Sequence, residues 1–372
     1  MPMTPDAPLG TALSPSGSDG PALPLVVLHD HLDGGVRAST VLELSREFGI
    51  ELPEGTVEGL ADWFFEAADS GSLPRYLGTF ARTLAVMQTA RALRRIAREF
   101  VEDMVADGVC YAETRWAPEQ HTEGGLSMAE AVAAVREGLE EGVAAAAAAG
   151  QRIVVGQILC IMRQNDPRVA ADHVVDLAIA GRGEGVVGVD LAGPEDGFLA
   201  SRFRDALERA HDAGVHVTIH AGEAAGIDSI ADALDCGAER LGHGVRLVDD
   251  LSDSGPGPTA RRVRDQRVLL EVCPSSNLQT GAFADMSSHP VEALRRAGMR
   301  VAVSSDNRLM SRTSTSRELR RIIDVHGWSL AELERAALEG LDAGFAPDQQ
   351  RHALREDVVV PAYRAARAAA ER

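Results

Sequence analysis

Two histidines separated by one residue, His29 and His31, end a short apolar run. Alternate residues of a strand face the same way, so both imidazoles would aim at one point. Such a pair alone fits a structural role as well as a metal. Three other runs end on similar chemistry: Ile219-His220-Ala221-Gly222-Glu223, Leu241-Gly242-His243-Gly244 and Ser304-Ser305-Asp306-Asn307. Histidines that merely pack in a core would not be expected to collect at strand ends. Three neutral imidazoles and one carboxylate suit a single Zn2+ with a position left for water. Zinc lowers the pKa of such a water from about 15.7 toward 7. Two more groups are then required: one to hold or deprotonate the water, and one to protonate the substrate atom that gains electron density. Glu223 and His243 are the spare groups. His243 is equally open to being a ligand.

These residues need a scaffold that brings strand ends together. Eight short runs alternate with longer helical patterns: Pro24–His29, Gly108–Arg115, Arg152–Ile158, Gly185–Asp190, Val215–His220, Arg240–His243, Val268–Val272 and Arg300–Ser304. That alternation predicts an α/β fold, a closed (β/α)8 TIM barrel, whose C-terminal rim carries the chemistry. An open doubly wound sheet is the alternative, but no G-x-G-x-x-G follows the first run. The stretch from Ser39 to Asp107 is too long for one helix and reads as a helical insertion after the first strand. Its aromatics, Trp63-Phe64-Phe65 and Tyr76 to Phe80, would cap the barrel mouth or pack its helices. Ser329 to Arg372 reads as C-terminal helices. Residues 1–22, rich in Pro, Gly, Ser and Asp, read as a disordered tail. Residues 23–372 form the single barrel domain.

Composition narrows the chemistry further. The 372 residues carry a net charge of −19, which disfavours nucleic acid and anionic membrane as partners. All 37 basic residues are arginine. Without lysine there is no Schiff base, no pyridoxal-phosphate anchor and no bridging carbamylated lysine of a two-metal site. The four cysteines are widely spaced and read as reduced, buried thiols. No apolar stretch is long enough to span a membrane, and the start lacks a signal peptide, so a cytoplasmic protein is expected.

From residue 24 to about 365 the chain resembles the adenosine deaminase family, in an actinobacterial form. The motifs are His-Asp-His-Leu-Asp-Gly at 29–34, Tyr-Ala-Glu-Thr-Arg-Trp-Ala-Pro at 111–118 and Val-Asp-Leu-Ala-Gly at 189–193. His-Ala-Gly-Glu at 220–223, Leu-Gly-His-Gly at 241–244, Cys-Pro-Ser-Ser-Asn at 273–277 and Ser-Asp-Asn at 305–307 follow in the family's order. The resemblance implies zinc-dependent hydrolysis of adenosine, and of 2′-deoxyadenosine, to inosine and ammonia in purine salvage. It implies one zinc held by His29, His31, His220 and Asp306. Glu223 would protonate N1 of the purine, while His243 and Asp306 orient the attacking hydroxide and help move its proton. Asp33, Gly193, Asn307 and His31 would bind the substrate: Asp33 the 5′-hydroxyl, the Gly193 N–H purine N3, and Asn307 purine N7. Tyr76, Phe80 and Met162 match positions lining the pocket, where core packing explains them equally well. Arg115 and Asp190 are expected to form a supporting ion pair.

The chain departs from the family in two places. Asn307 stands where many members have Asp, and its amide donates at any pH. Ser304-Ser305 replaces the more usual Asn-Thr. Asp33, rather than Glu, favours a nucleoside over a free base. The same machinery would serve another 6-aminopurine, such as aminodeoxyfutalosine, adenine or a modified nucleoside. An ester or amide hydrolase, or a non-catalytic binding protein on the same barrel, are the readings from other classes. A homo-oligomer is compatible with the sequence.

Overall fold

The computed structural model describes residues 22–371. The tail expected at residues 1–22 therefore lies outside the described residues, apart from Ala22. Among the described residues, eight parallel strands pair in sequence order: Leu25–His31, Val109–Trp116, Val154–Met162, Val186–Ala192, His216–Ala221, Arg240–His243, Leu269–Val272 and Arg300–Val303. All eight predicted runs are strands. The third reaches Met162, past the expected Ile158, because its pairing with the fourth continues to Met162 opposite Ala192.

The sheet closes between its first and eighth strands at the mouth. His31 N–H donates to Asp306 O at 2.8 Å, and Asp306 N–H donates to His29 O at 3.0 Å. The Ser304 hydroxyl accepts from Leu28 N and His29 N, each at 3.2 Å. The Ser305 hydroxyl donates to Asp30 Oδ2 at 2.8 Å. The two serines that depart from the family pattern thus stitch the barrel seam.

Helices cover the outside, and side-chain caps set the entries of a few of them. Ser127 with Glu130, and Ser329 with Glu332, form capping boxes at Met128–Ala148 and Leu330–Ala343. Gly138 and Gly142 let Met128–Ala148 lie close on helix Ala90–Ala106. A Cβ at these positions would sit 2.1 Å from Arg94 O and 2.5 Å from Val101 Cβ. The long connection after the first strand folds into the helices Ala38–Phe48, Val57–Ala68, Leu73–Leu77, Phe80–Val86 and Ala90–Ala106. Leu73–Leu77 and Phe80–Val86 lie over the mouth. Gly71 N–H donates to Gln279 O at 2.8 Å, and the Tyr76 hydroxyl lies 3.4 Å from Ser311 Oγ. Phe64 is fully buried in the core, so its role is packing.

Candidate active site

At the mouth, Nε2 of His29 and of His31 each lie 3.4 Å from Asp306 Oδ1. His31 Nε2 also lies 3.4 Å from His220 Nε2. The nitrogens of His29, His31 and His220 sit within 4.8 Å of one another, as do the ligating atoms of His29, His243 and Asp306. The four residues expected to hold a metal are thus brought together, with His243 beside them. His29 Nε2 and Asp306 Oδ1 are buried without any hydrogen-bond partner. Orphaned buried polar atoms are costly, and a cation between them removes the penalty. Burial holds His31 and His243 well below the usual histidine range and also lowers His220. Those rings are neutral, as ligation requires. Burial opposes ionisation of Asp306, but its contact with His29 outweighs burial and keeps the carboxyl well below its ordinary range.

Two rings are aimed from behind. His29 Nδ1 donates to Glu271 Oε2 at 2.8 Å, and His220 Nδ1 to Asp190 Oδ2 at 2.9 Å. With Nδ1 protonated, each ring offers a bare Nε2 to the mouth. Arg115 joins the two carboxylates, at 3.0 Å to Asp190 and 2.7 Å to Glu271. Arg240 continues the network from Glu271 at 2.7 Å to Glu113 at 2.5 Å. The second and seventh strands are not neighbours in the sheet, so these bonds cross the barrel's interior. Two guanidinium charges thus meet three carboxylates, and Asp306, beside the histidines, adds a fourth. The excess of negative charge matches a divalent cation.

Glu223 follows the fifth strand and is buried, its Oε2 3.6 Å from His243 Nε2. Burial, with Asp306 and Glu195 nearby, holds its carboxyl well above the usual range. A protonated carboxyl is what a proton donor to a ring nitrogen must be. Its loop is fixed by Glu195, which accepts from the backbone N–H groups of Gly222, Glu223, Ala224 and Ala225 at 2.6 to 3.0 Å. Burial pushes Asp33 up to about 7, and its Oδ1 is also unpartnered.

A cavity of about 280 Å³ opens onto these groups, the size of a small-ligand pocket. Asp33, Gly193 and Asn307 line it, as do Tyr76, Phe80 and Met162. Trp63, Phe64 and Phe65 do not. Gly193 has φ +98, and a Cβ there would lie 2.5 Å from Gln164 Oε1, so the position takes glycine. The Asn307 amide packs against Gly34, and its oxygen is buried without a hydrogen-bond partner.

Fold and site together define a metal-dependent barrel hydrolase, with a buried carboxyl beside a His/Asp cluster that could hold the metal. The family model for adenosine deaminase matches residues 24–361. Adenosine deaminase of Mycobacteroides abscessus is 47% identical over 91% of this chain and 95% of its own. Adenosine deaminase 1 of Streptomyces coelicolor is 47% identical over 96% of this chain and 91% of its own. Among solved structures, the adenine deaminase of Arthrobacter aurescens superposes with a TM-score of 0.79 at 26% identity, over 91% of this chain and 98% of its own. The chain belongs to the adenosine deaminase family.

The sequence alone assigned no role to Glu271, Arg240, Glu195 or Asn277. Glu271 carried a signal, a lone carboxylate inside the apolar run Val268–Val272. A charge at such a place must find partners in the barrel interior. Glu195 had none, since its partners are four backbone amides and the Ser229 hydroxyl, 27 to 34 residues away.

Proposed function

We propose that this chain hydrolyses the 6-amino group of adenosine and of 2′-deoxyadenosine, giving inosine or its deoxy form and ammonia, with one zinc ion per protein. His29, His31, His220 and Asp306 would hold the ion. When bound, zinc supplies an acidified water at neutral pH. His243 and Asp306 hold the attacking oxygen against C6. The Glu223 carboxyl hands its proton to N1, which draws electron density from C6. The Gly193 N–H donates to N3 and the Asn307 amide to N7. Asp33 Oδ1 accepts from the ribose 5′-hydroxyl, and His31 faces the sugar side. The observation that carries this reading is a buried Glu223, its carboxyl held well above the ordinary range, beside a cluster of unpartnered histidine and carboxylate atoms that open onto one cavity.

No arginine lines the cavity among the described residues, and the chain has no lysine. That supports a nucleoside over a nucleotide. Asp33, with an oxygen free inside the cavity, supports a nucleoside over a free base. A cytoplasmic place in purine salvage fits four cysteines that are all unpaired and buried. No described helix is long and apolar enough to cross a membrane. The deciding experiment is an ultraviolet assay of deamination over adenosine, deoxyadenosine, adenine, AMP and aminodeoxyfutalosine, with and without chelator. Adenosine and deoxyadenosine should give the highest kcat/KM. Preference for adenine or AMP, or indifference to chelator, would overturn the reading.

A further inference from the structure

A line of hydrogen bonds runs from a backbone amide to His243. Val291 N–H donates to His289 Nδ1 at 3.4 Å. His289 Nε2 lies 3.2 Å from Asn277 Oδ1, and Asn277 Nδ2 lies 3.1 Å from His243 Nδ1. All three side chains are buried. The orientation of an amide or imidazole in such a chain is ordinarily ambiguous. Here the first link settles it, because a backbone N–H can only donate.

The consequences follow link by link. His289 Nδ1 must be bare, so the neutral ring carries its proton on Nε2. That proton goes to Asn277, so the amide's oxygen faces His289 and its NH2 faces His243. The NH2 donates, so His243 Nδ1 must be bare as well. A neutral His243 then carries its proton on Nε2, the atom 3.6 Å from Glu223 and turned toward the ligand cluster. Reversing any one link sets two N–H groups against each other at a buried site. Burial also holds His289 down at about 3, which keeps it from serving as a double donor.

We infer that Asn277 and His289 are positioning residues that lock His243 as its Nε2–H tautomer, making this ring a hydrogen-bond donor to the attacking oxygen. The inference rests on the deaminase reading above for what that oxygen does. The proton leaving the attacking water then goes to an Asp306 carboxylate oxygen, as the C6–O bond forms. His243 takes up no proton in this step. It also follows that Nε2 of His243 is not a metal ligand, although it lies within reach of the cluster. A histidine at the end of the sixth strand is on this account a donor because of two residues from the segment after the seventh.

The test is the position of one deuteron. Neutron diffraction on the perdeuterated, zinc-loaded enzyme should show deuterium on His243 Nε2 and none on Nδ1. Nitrogen-15 NMR of histidine-labelled enzyme should agree, with His243 Nδ1 giving a pyridine-type signal that disappears in His243→Gln. Asn277→Asp keeps the shape but offers only acceptors, so it should pull the proton to Nδ1. In that variant kcat should fall roughly 10–100-fold, with little change in KM. A deuteron on Nδ1 in the wild type would overturn the inference. So would Asn277→Asp with an unmoved tautomer or a wild-type kcat. Wild-type enzyme that ignores adenosine yet shows the Nε2 deuteron would refute the substrate reading and leave the tautomer lock standing.

Discussion

Glu271→Gln exchanges one oxygen for an amide group in a carboxylate whose four side-chain partners are all donors. Oε2 accepts from His29 Nδ1 at 2.8 Å and Arg115 at 2.7 Å. Oε1 accepts from Arg240 at 2.7 Å and Thr218 at 3.1 Å. Whichever way a glutamine turns, its NH2 meets two donors. Turned toward His29, it forces the ring's proton onto Nε2, the atom that faces Asp306, and a proton there blocks ligation. Turned toward Arg240, it leaves a buried guanidinium pressed against a donor. Breaking a buried pair from one side costs about 3–5 kcal/mol. At roughly 2 °C per kcal/mol for a large domain, the metal-free protein should melt about 6–10 °C lower. Loss of the partner behind a ligating histidine should weaken metal binding by about 10–100-fold. Calorimetry of the chelated protein and titration against a chromophoric chelator read the two effects separately. A Glu271→Gln protein with wild-type melting and wild-type metal affinity would show that the carboxylate neither aims His29 nor balances the arginines.

Four further outcomes are expected. Glu223→Gln should keep the metal and lose about 10²–10⁴-fold in kcat, since only a proton donor is removed; metal analysis beside steady-state kinetics checks it. His220→Ala should lose the metal along with the activity, and the same two measurements separate it from Glu223→Gln. In Asn307→Asp, KM for adenosine should rise with pH as the new carboxyl ionises and stops donating to N7, whereas the wild-type profile stays flat over that range. His121 is held down at about 4 and His289 at about 3, both by burial. Both folded values lie below the unfolded one, so this stability is full above about pH 6.5 and is lost as pH falls. The loss is about 3 kcal/mol per ring near pH 4, and His121→Gln should flatten the fall in melting temperature.

The barrel was legible because each strand is a short apolar run bounded by turn residues, and this period does not depend on partners. The residues that cluster at the mouth were legible for a related reason. His29, His31, His220 and Asp306 end their runs, and in a closed barrel run ends share one rim. The pairing of Arg115 with Asp190 was read correctly, at 3.0 Å in the structure. What the residues could not reveal was their company across the interior. Glu271 is 156 residues from Arg115 and 242 from His29, and only the barrel's circumference decides that they meet. Asn277 was noticed as part of a motif, yet its role depends on which way His289 turns. That is set by one amide hydrogen at the start of helix Val291–Arg296. Local pattern locates strand ends, whereas hydrogen-bond polarity exists only once the chain has folded.

Asp306 and His243 share a backbone feature that ties the chemistry to the closure of the barrel. Their φ angles are +61 and +62, in a region that costs a side-chain-bearing residue about 1–3 kcal/mol. The ladder between the seventh and eighth strands ends at Val303 opposite Val272, short of the mouth. Beyond it, Asp306 bridges back to the first strand through its own N–H and C=O. The seam needs that amide and carbonyl to face the first strand, while the site needs the carboxylate beside His29 and His31. The left-handed backbone meets both demands at one residue. The two bridging hydrogen bonds then hold a conformation that Asp306 would not adopt alone. The candidate metal cluster spans this same joint, with His29 and His31 on one side and Asp306 on the other. Among the described residues, the first and eighth strands are joined by this bridge, the Ser304 hydroxyl and the bonds of Ser305 and Arg308 to Asp30, rather than by a regular ladder. A cation there would therefore fasten the most sparsely bonded joint of the barrel as it completes the site. Removing it should loosen the seam before any other pair of strands.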